Sequence, residues 1–589
     1  MRVKSSALLA IATTLGVSAA PATAQEQAPT PVILKVAITQ QIDSMNPFLA
    51  VFQSSTEIGR LMYDYLTAYA ADDQRVTEGL ANRWEPSADK LTWTFTVPEG
   101  KKWSDGQPIT AQDVAFTYNL MLTDEVARTA NGSFVTNFAS VAATDDKTVV
   151  VKTKAPQVTM LALDIPIVPK HVWEKVTSVK DYTNEQMPVV GSGPFVLTEH
   201  VAGQFIKLKA NKNYWRGAAK YDELHFVYFQ NSDAAVQALA KGEVDLVNRM
   251  APAQYESLEG KAGVTRNKAQ GRRFTELLIN PGAQTRTGEP IGDGNPALKD
   301  VRVRRAIAQA IDLDALVSRV NLGYAEKGAG LVPPVFDKWH WQPGTSEQRE
   351  FDPAAANAAL DAAGFPRRPD GTRFGLRLIG RAGRAYDEQA SEYLKRSMSE
   401  IGIPLDVRLV TDNQLNEVTT AATYDLAFSG WATNVDPDFI LSLHTCAQRP
   451  GADGKGGTTD AYFCDETYDK LYAQQLSEFD EGKRVEIVKQ MQARFYDQVP
   501  AVVLAYENAL EAYRSDHFAR FTTQPAEGGV IMAQNGMWGY YGAEPAGRAA
   551  QSSGSRWPGL VLGGVVIAGL VVVSVLYARR RNATAGERE

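Results

Sequence analysis

The segment Ser429–Asp438 holds the side chains best suited to binding a small molecule. It reads Ser-Gly-Trp-Ala-Thr-Asn-Val-Asp-Pro-Asp. The indole of Trp431 could form an apolar wall or a stacking platform for a side chain or a sugar ring, and it could equally pack in the core beneath the loop. An amide such as Asn434 only forms hydrogen bonds, whereas Asp436 offers a charged carboxylate. Side chains of these types could contact a solute.

The sequence contains no set of residues that is typical of a catalytic site. There is no Gly-x-Ser-x-Gly, no His-Glu-x-x-His and no phosphate-binding loop, because Lys455 is followed by Gly456 and not by Ser or Thr. The six histidines are scattered along the chain. The paired carboxylates at 72–73 and 145–146 stand among turn-forming residues, which favours a solvated surface. The sequence therefore predicts a protein that is not an enzyme and that needs neither a metal nor a cofactor.

Length and composition limit the class of protein further. The chain has 589 residues, too many for one hydrophobic core, so two or three folding units are expected. Hydrophobic residues make up 44% and charged residues 22%, which excludes a largely disordered chain. The net charge is −7 and no extended basic stripe occurs in the body, so nucleic acid is not an expected partner.

The first 24 residues are typical of a secretory signal peptide. Arg2 and Lys4 precede an apolar stretch at 7–20, and Ala22-Thr23-Ala24 forms a small-x-small cleavage site. No cysteine stands near that site, so attachment through a lipid is not expected. The mature chain is predicted to begin at Gln25 on the extracytoplasmic side.

An uncharged apolar stretch at 559–578 predicts a transmembrane helix near the other end. About 20 such residues span a bilayer, and Arg579–Arg581 follow at once and should stay cytoplasmic. Trp557 and Tyr577 stand near the two expected membrane interfaces. A buried core helix is one alternative, and a cell-wall sorting signal is another, although no LPxTG-like pentapeptide precedes the stretch. The expected location is the cell membrane, with a single pass, the body outside and the C-terminus in the cytoplasm.

The chain has two cysteines, Cys446 and Cys464. In an oxidising compartment an even pair at this spacing suggests a local disulfide, which the chain-entropy model credits with about 3 kcal/mol. Two free buried thiols are the alternative. A zinc site is less favoured, because His444 is near but no second His or Cys completes a ligand set.

The block Trp84–Tyr118 predicts the elements of one region of the fold. Apolar residues at 91, 93, 95 and 97 alternate with threonines, which indicates a strand with one apolar face. Gly100, Ser104-Asp105-Gly106 and Pro108 supply turn residues. Thr110 to Asp113 then resembles a capping box, and a helix is expected to follow.

This block resembles, almost letter for letter, the signature of the family 5 solute-binding proteins. These are the extracytoplasmic receptors of ABC importers for peptides, nickel and some oligosaccharides. The resemblance covers about 32–543 and leaves out the apolar tail. It implies an α/β, two-lobe, periplasmic-binding-protein-like fold with an extra α+β insert in the first lobe, to which the sequence adds a C-terminal transmembrane helix.

The resemblance and the terminal segments together divide the chain into nine regions. The Gly-, Pro- and Thr-rich segment 281–296 is the expected crossing into the second lobe. The regions are the signal peptide 1–24, the opening segment of lobe I at 25–75, the lobe I insert at 76–188, the continuation of lobe I at 189–283, lobe II at 284–504, the return to lobe I at 505–543, a flexible tether at 544–558, the transmembrane helix 559–578 and the cytoplasmic tail 579–589.

The resemblance also implies that the loop at 429–438 binds ligand, and its candidate ligand-binding residues are Trp431, Thr433, Asn434 and Asp436. In peptide-binding members of the family, an Asp three positions after the loop Trp pairs with the α-amino group of the peptide. The corresponding residue here is Asn434, and an amide cannot neutralise a buried ammonium. Asp436 is the candidate substitute if the loop shifts. Otherwise the ligand is not a free-amine peptide.

Further candidates lie outside this loop. Tyr506 stands on the strand that leads back to the first lobe, where it either contacts ligand or packs in the core. Asn46 and Gln41, in the loop after the first strand, are candidate polar groups at the rim of the cleft. Some dipeptide receptors also carry a disulfide in the stretch of Cys446 and Cys464. Four arginines could bind a ligand carboxylate or could equally be solvated surface charges, namely Arg272, Arg273, Arg381 and Arg384.

The function that the resemblance implies is a solute-binding receptor of an ABC import system. It would capture a di- or oligopeptide between its lobes and deliver it to a permease and ATPase complex, with its own apolar helix holding it at the membrane. Two alternatives stay open. One is a receptor for an oligosaccharide or a metal chelate, and the other is a membrane-anchored binding sensor without transport.

Overall fold

A computed structural model of the protein describes residues 30–345, 347–452, 459, 461–532 and 536–547. The expected signal peptide, most of the tether, the apolar stretch 559–578 and the tail lie outside the described residues. Within the described ranges, no helix is long and apolar enough to cross a membrane.

The first lobe is built on a seven-stranded mixed sheet. Its strand Ile33–Ile38 runs parallel to both neighbours, and the other pairings are antiparallel. The side chains of Leu34 and Val36 are fully buried, because alternate residues of a strand point to the same face. In order across the sheet, the strands are Val264–Ala269, Ala509–Arg514, Leu246–Val247, Ile33–Ile38, Glu223–Tyr228, Phe205–Ala210 and Phe195–Val201.

The second lobe is built on a six-stranded mixed sheet. Its strand Arg273–Ile279 is antiparallel to both neighbours, and the hydrophobic side chains of this strand enter cores on both faces of the sheet. Two-sided burial explains the three consecutive apolar residues 277–279 at its end. In order, the strands are Ala325–Lys327, Ala501–Glu507, Arg273–Ile279, Leu426–Ala432, Leu376–Arg381 and Leu405–Val410.

A separate antiparallel sheet lies within residues 76–188, the expected insert of the first lobe. Its strands are Arg83–Pro86, Thr92–Thr96, Thr148–Thr153 and Phe138–Ala143. Trp93 and Phe95 point into the core, as the period-two pattern predicts. Thr110 caps the helix Ala111–Thr123, and the carboxylate of Asp113 accepts the Thr110 N–H at 2.9 Å. The strand–turn–helix prediction is confirmed.

Helices and short strands complete the described chain. Two small sheets pair Thr67–Tyr69 with Val76–Glu78 and Phe518–Arg520 with Glu544–Pro545. The α-helices are Gln53–Met62, Ala111–Thr123, Lys170–Trp173, Ser232–Lys241, Pro252–Ser257, Val301–Gln309, Leu313–Arg319, Pro353–Ala362, Ala385–Glu400, Asp412–Thr420, Asp438–Ser442, Glu466–Ser477, Glu481–Gln498 and Trp538–Tyr541.

The chain passes between the two large sheets at two short segments. It leaves the first sheet at Ala269 and enters the second at Arg273, and it returns between Glu507 and Ala509. The two crossings touch, since a Cβ on Gly271 would lie 1.6 Å from the carbonyl oxygen of Glu507. Only glycine allows so close an approach of two backbones.

The first crossing differs from the one expected at 281–296. In the structure that segment follows the strand Arg273–Ile279, which already belongs to the sheet of the second lobe. A composition rich in Gly, Pro and Thr marks an irregular segment. It does not reveal which sheet the preceding strand joins, because that depends on pairing with the distant strands Leu426–Ala432 and Ala501–Glu507.

Candidate functional site

Side chains of the two lobes meet around the loop that follows the strand Leu426–Ala432. Phe439 of the second lobe stacks on Phe134 of the insert, with ring centroids 5.8 Å apart and planes inclined by 22°. Phe479 faces Trp93 of the insert in the same way, at 6.3 Å. Arg273 donates a hydrogen bond to the side-chain oxygen of Gln53 in the first lobe, at 3.1 Å. Residues of both lobes therefore enclose the region that the sequence marks for ligand.

Trp431 lies at the second-lobe end of this aromatic contact. Its ring is half-buried and meets Phe439 edge-on, with centroids 6.1 Å apart. Phe439 in turn stacks on Phe134. An aromatic row thus leads from the sheet of the second lobe to the insert, and such a row can line a site for an apolar group.

Two of the candidate residues have all their side-chain polar atoms engaged inside the second lobe. Thr433 is fully buried, and its hydroxyl donates to the carbonyl of Leu331 at 3.2 Å. The hydroxyl of Tyr506 donates to the carbonyl of Gly330 at 2.8 Å and accepts the N–H of Ala329 at 3.1 Å. Burial raises the pKa of Tyr506. In this structure both hydroxyls hold the backbone of the second lobe.

Asn46 does not lie at a cleft rim, as the sequence led us to expect. It is fully buried, and its amide group donates to the carbonyls of Val179 and Tyr182 at 3.0 and 2.8 Å. Its side-chain oxygen accepts the N–H of Phe48, two residues on, in the local turn that Asn favours. Gln41 is exposed, as a rim residue would be.

Asp436 is held by a bidentate ion pair with Arg484. The two carboxylate oxygens accept from the guanidinium at 2.6 and 2.8 Å, and the side chains are 16% and 6% exposed. Burial opposes ionisation of Asp436, but the charge and hydrogen bonds of Arg484 outweigh it, so the pKa of Asp436 lies below its usual value. The carboxylate suggested as a substitute for the amine-binding Asp is therefore already neutralised within the protein.

The next carboxyl of the loop, Asp438, is buried and is held by an amide. It begins the short helix Asp438–Ser442 and accepts a hydrogen bond from the amide of Gln475 at 2.8 Å. Burial and the neighbouring charge of Asp436 raise the pKa of Asp438 to about 6, and Arg484 opposes this rise. Asp438 thus changes its charge in the mildly acidic range.

Three of the four candidate arginines bond to side chains of other residues in the structure. Arg381 donates to Asp412 at 3.0 Å. Arg384 lies 3.3 Å from a carboxylate oxygen of Asp387 and 3.5 Å from one of Glu507. Arg273, besides its bond to Gln53, donates to the carbonyl of Gly430 at 3.1 Å. These side chains stabilise the second lobe and its contact with the first.

Arg272 is different, because most of its guanidinium has no partner among the described residues. The residue is 1% exposed, and its Nη2 donates to the carbonyl of Gln524 at 3.1 Å. Its Nε and Nη1 make no hydrogen bond within the described part of the chain. Burial, and then the nearby charge of Arg60, lower the pKa of Arg272 to about 9, while Tyr69 acts in the opposite direction. The group is still charged at neutral pH.

Several residues of this region carry no signal in the sequence. Arg60 and Tyr69 of the first lobe face it, and Arg484 approaches from the helix Glu481–Gln498. Arg60 itself is paired with Asp164. None of these three residues belongs to a sequence motif. Only the tertiary structure shows that they lie near the loop at 429–438.

A disulfide joins Cys446 and Cys464, with Cα atoms 4.4 Å apart. It closes the segment that contains the Gly-rich residues 453–458, which lie outside the described residues. The neighbouring His444 is fully buried against the ring of Phe495, and burial lowers its pKa to about 3. Among the described residues no group of three or more His, Cys, Asp or Glu side chains could hold a metal ion.

The fold and the site together define a class of protein. Two lobes, joined by two short crossings and meeting around a loop of aromatic and polar residues, are the architecture of an interlobe binding protein. The family described as "Bacterial extracellular solute-binding proteins, family 5 Middle" matches residues 75–450, more than half of the chain. The chain belongs to this family.

Known relatives agree with this assignment. The dipeptide-binding protein of Escherichia coli K12 is 24% identical over 481 residues, which is 77% of this chain and 85% of that protein. Di/tripeptide-binding protein 1 of Pseudomonas aeruginosa UCBPP-PA14 is 26% identical over 482 residues, which is 77% of this chain and 84% of that protein.

Solved structures share the two-lobe fold. NikZ of Campylobacter jejuni, in complex with Ni(L-His), superposes with a TM-score of 0.75 at 19% identity and covers 88% of this chain and 100% of its own. The oligopeptide-binding protein AppA of Bacillus subtilis, in complex with a nonapeptide, gives 0.74 at 22% identity, with 88% and 100% covered. Because the family consists of solute-binding receptors, the prediction that the protein is not an enzyme is confirmed.

Proposed function

We propose that this protein is the receptor of an ABC importer that captures a peptide-class solute between its two lobes and delivers it to the membrane permease and its ATPase. The contact of both lobes around the loop at 429–438 carries the proposal. Aromatic rings of both lobes line this contact, and the chain crosses between the lobes at two short segments on which they could hinge. The names of the relatives, which are di- and tripeptide-binding proteins, support a peptide-class ligand.

Within the loop, we propose that Trp431 and Asn434 contact the ligand, and that Gln41 approaches it from the first lobe. Thr433, Asp436 and Tyr506 then act indirectly, because their bonds hold the loop and the adjoining backbone in place. The lobe boundaries are proposed as in the sequence interpretation, with the first crossing moved to 270–272 and the second to residue 508.

We expect a bound solute to raise the thermal stability of the protein. Ligand at about 100 times its Kd adds about 2.7 kcal/mol to the free energy of unfolding, because only the folded state binds it. A thermal-shift panel of di- and tripeptides, oligosaccharides and the nickel–L-histidine chelate measures this. A shift with oligosaccharides or the chelate, together with no response to any peptide, would overturn the peptide proposal.

A metal chelate stays the second candidate ligand for a specific reason. A chelate brings its own donor atoms, so it does not need a metal-binding cluster in the protein, and NikZ has a similar fold and was solved with Ni(L-His). Asn434 is compatible with such a ligand because it can hydrogen-bond a polar group without supplying a charge.

We also propose that the receptor is held at the membrane by the apolar stretch 559–578, with the tether 544–558 between it and the body. This proposal comes from the sequence alone. An anchored receptor stays close to its permease, which raises their effective concentration without any new contact.

The anchor predicts the distribution of the protein between fractions. The full chain should remain with membranes after a high-salt wash, since insertion of an apolar helix does not depend on ionic strength. A chain ending at Ala549 should be released. Immunoblotting of washed membranes and medium measures both, and full-length protein free in the medium would contradict the anchor.

A further inference from the structure

Arg272 is a buried cation without an anionic partner among the described residues. It is 1% exposed, its Nη2 bonds to the carbonyl of Gln524, and its guanidinium carbon lies 5.6 Å from the centre of the Phe336 ring. Nε and Nη1 make no hydrogen bond within the same described ranges. Burying a cation without a counter-charge lowers the stability of the folded protein, and pairing with an anion offsets this loss.

The position of Arg272 connects it to the candidate site. Its carbonyl accepts the N–H of Thr433 at 2.8 Å, which sets it beside the loop at 429–438. Arg60 and Tyr69, both in the first lobe, lie close enough to influence its pKa, while Phe336 in the second lobe faces its guanidinium. Arg272 therefore lies between groups of the two lobes, close to the segment where ligand is expected.

Four other arginines near this region are neutralised in ion pairs, and Arg273 bonds instead to the neutral oxygens of Gln53 and Gly430. Asp438, the remaining carboxyl of the loop, is held by Gln475 within the second lobe. The remaining polar side chain of the loop named as a candidate, Asn434, is a neutral amide. The pairs are Arg60 with Asp164, Arg249 with Glu57, Arg384 with Glu507, and Arg484 with Asp436.

We propose that Arg272 binds a carboxylate of the ligand, and that the site favours acidic solutes whose α-amino group is absent or blocked. The proposal rests on the proposed receptor function and specifies its ligand class. A ligand carboxylate supplies acceptors for the open N–H groups of Arg272. A ligand ammonium, by contrast, meets the neutral Asn434 and an Asp436 that is already paired. Because Arg272 is buried in this structure, the two lobes must open before a ligand can reach it.

The ligand arm of the test uses three versions of one dipeptide library, with free ends, with an acetylated N-terminus and with an amidated C-terminus. Thermal shifts and titrations are measured on the purified full chain in mild detergent. N-acetylated members should bind at least as tightly as free ones, and amidated members should bind about 10- to 100-fold more weakly. Tight binding of amidated members, or a tenfold preference for free over acetylated ends, would overturn the proposal.

The protein arm compares Arg272→Met with the matched variant Arg304→Met. Arg304 is also buried, but its guanidinium bonds to the carbonyls of Leu298, Lys299, Gln498 and Val499, so its loss should lower the melting temperature. Arg272→Met should leave the unliganded melting temperature unchanged or raise it, because an unpaired charge is removed, and it should abolish the preference for free over amidated ends. A fall as large as that of Arg304→Met would mean a structural role and would overturn the proposal.

The two arms separate the failure of this proposal from the failure of the receptor function. If no library member shifts the wild-type protein, the peptide-class function fails, and the unliganded melting temperatures of the two variants still decide the role of Arg272. A third variant, Asn434→Asp, should raise affinity for free-amine members about tenfold relative to acetylated ones. An unchanged ratio would mean that this position does not face the ligand amine and would overturn the amine component of the proposal.

Discussion

Replacing Arg484 by Met should lower the free energy of unfolding by about 3–5 kcal/mol. The guanidinium holds Asp436 with two hydrogen bonds, bonds to Gln475 at 3.0 Å and lies over the ring of Trp339 at 4.9 Å. Its removal leaves the buried Asp436 without its counter-charge and takes from Asp438 the cation that favours its ionisation. Urea denaturation followed by tryptophan fluorescence, at pH 7.5, measures the loss.

Two further variants show whether the ion pair is responsible. Asp497→Asn, on the same helix, removes an ion pair with Arg305 in which both side chains are more than 40% exposed, and it should cost less than about 1 kcal/mol. Adding Asp436→Asn to Arg484→Met should recover much of the loss, since no unpaired buried charge then remains and an amide oxygen can still accept the N–H of residue 438. Equal losses in the single and double variants would count against this explanation.

Replacing Asp438 by Asn should stabilise the protein at neutral pH by up to about 3 kcal/mol. The carboxyl has a pKa of about 6 in the folded state, because of burial and the charge of Asp436, against 3.8 in the unfolded chain. That difference of about two units corresponds to about 3 kcal/mol. An amide keeps the size of the side chain and avoids the cost of burying the ionised form.

The sign of the pH dependence follows from proton linkage. Between pH 3.8 and about 6 the folded protein holds a proton on Asp438 that the unfolded chain has released. The wild-type protein should therefore lose stability as the pH rises through this window, and the loss should be complete above it. The difference in the free energy of unfolding between Asp438→Asn and the wild-type protein should grow as the pH rises through this window. It should vanish at the acidic end of the window.

Unfolding midpoints in urea, taken from mildly acidic to mildly alkaline pH for wild type and variant, check this result. Asp64→Asn serves as a parallel case, because burial also raises the pKa of Asp64 to about 6, against the hydrogen bonds of Trp215 and Tyr214. Both variants should show the same window although their sites are distinct. If the difference in the free energy of unfolding between the variant and the wild-type protein stays constant with pH, the buried, protonated state of Asp438 is contradicted.

The local elements of this protein were predictable from its sequence. The strand of alternating apolar and hydroxyl residues and the capping box of Thr110 and Asp113 depend on contacts within a few positions, and the structure has them as expected. The two-lobe class was predictable too, because the block Trp84–Tyr118 resembles a family signature. The crossing was misplaced because sheet membership is set by strands more than a hundred positions away.

The candidate site was only partly predictable. The sequence identified the loop at 429–438 and the neutral Asn434 within it. It could not show that Asp436 pairs with Arg484, which is 48 positions away, or that the polar groups of Thr433, Tyr506 and Asn46 bond to backbone. Nor could it distinguish Arg272, which lacks a carboxylate partner among the described residues, from the paired Arg381 and Arg384.

The sequence by itself thus determined the periodic elements, the family and the residue types available to a ligand. The tertiary structure alone decided which charges are neutralised and which have no counter-charge among the described residues. The physical reason is that strand periodicity and helix capping depend on residues that are neighbours in the sequence. The pairing and desolvation of a charge depend instead on groups that the fold brings together from distant segments. In this chain those groups come from both lobes and meet at the loop that holds Asn434.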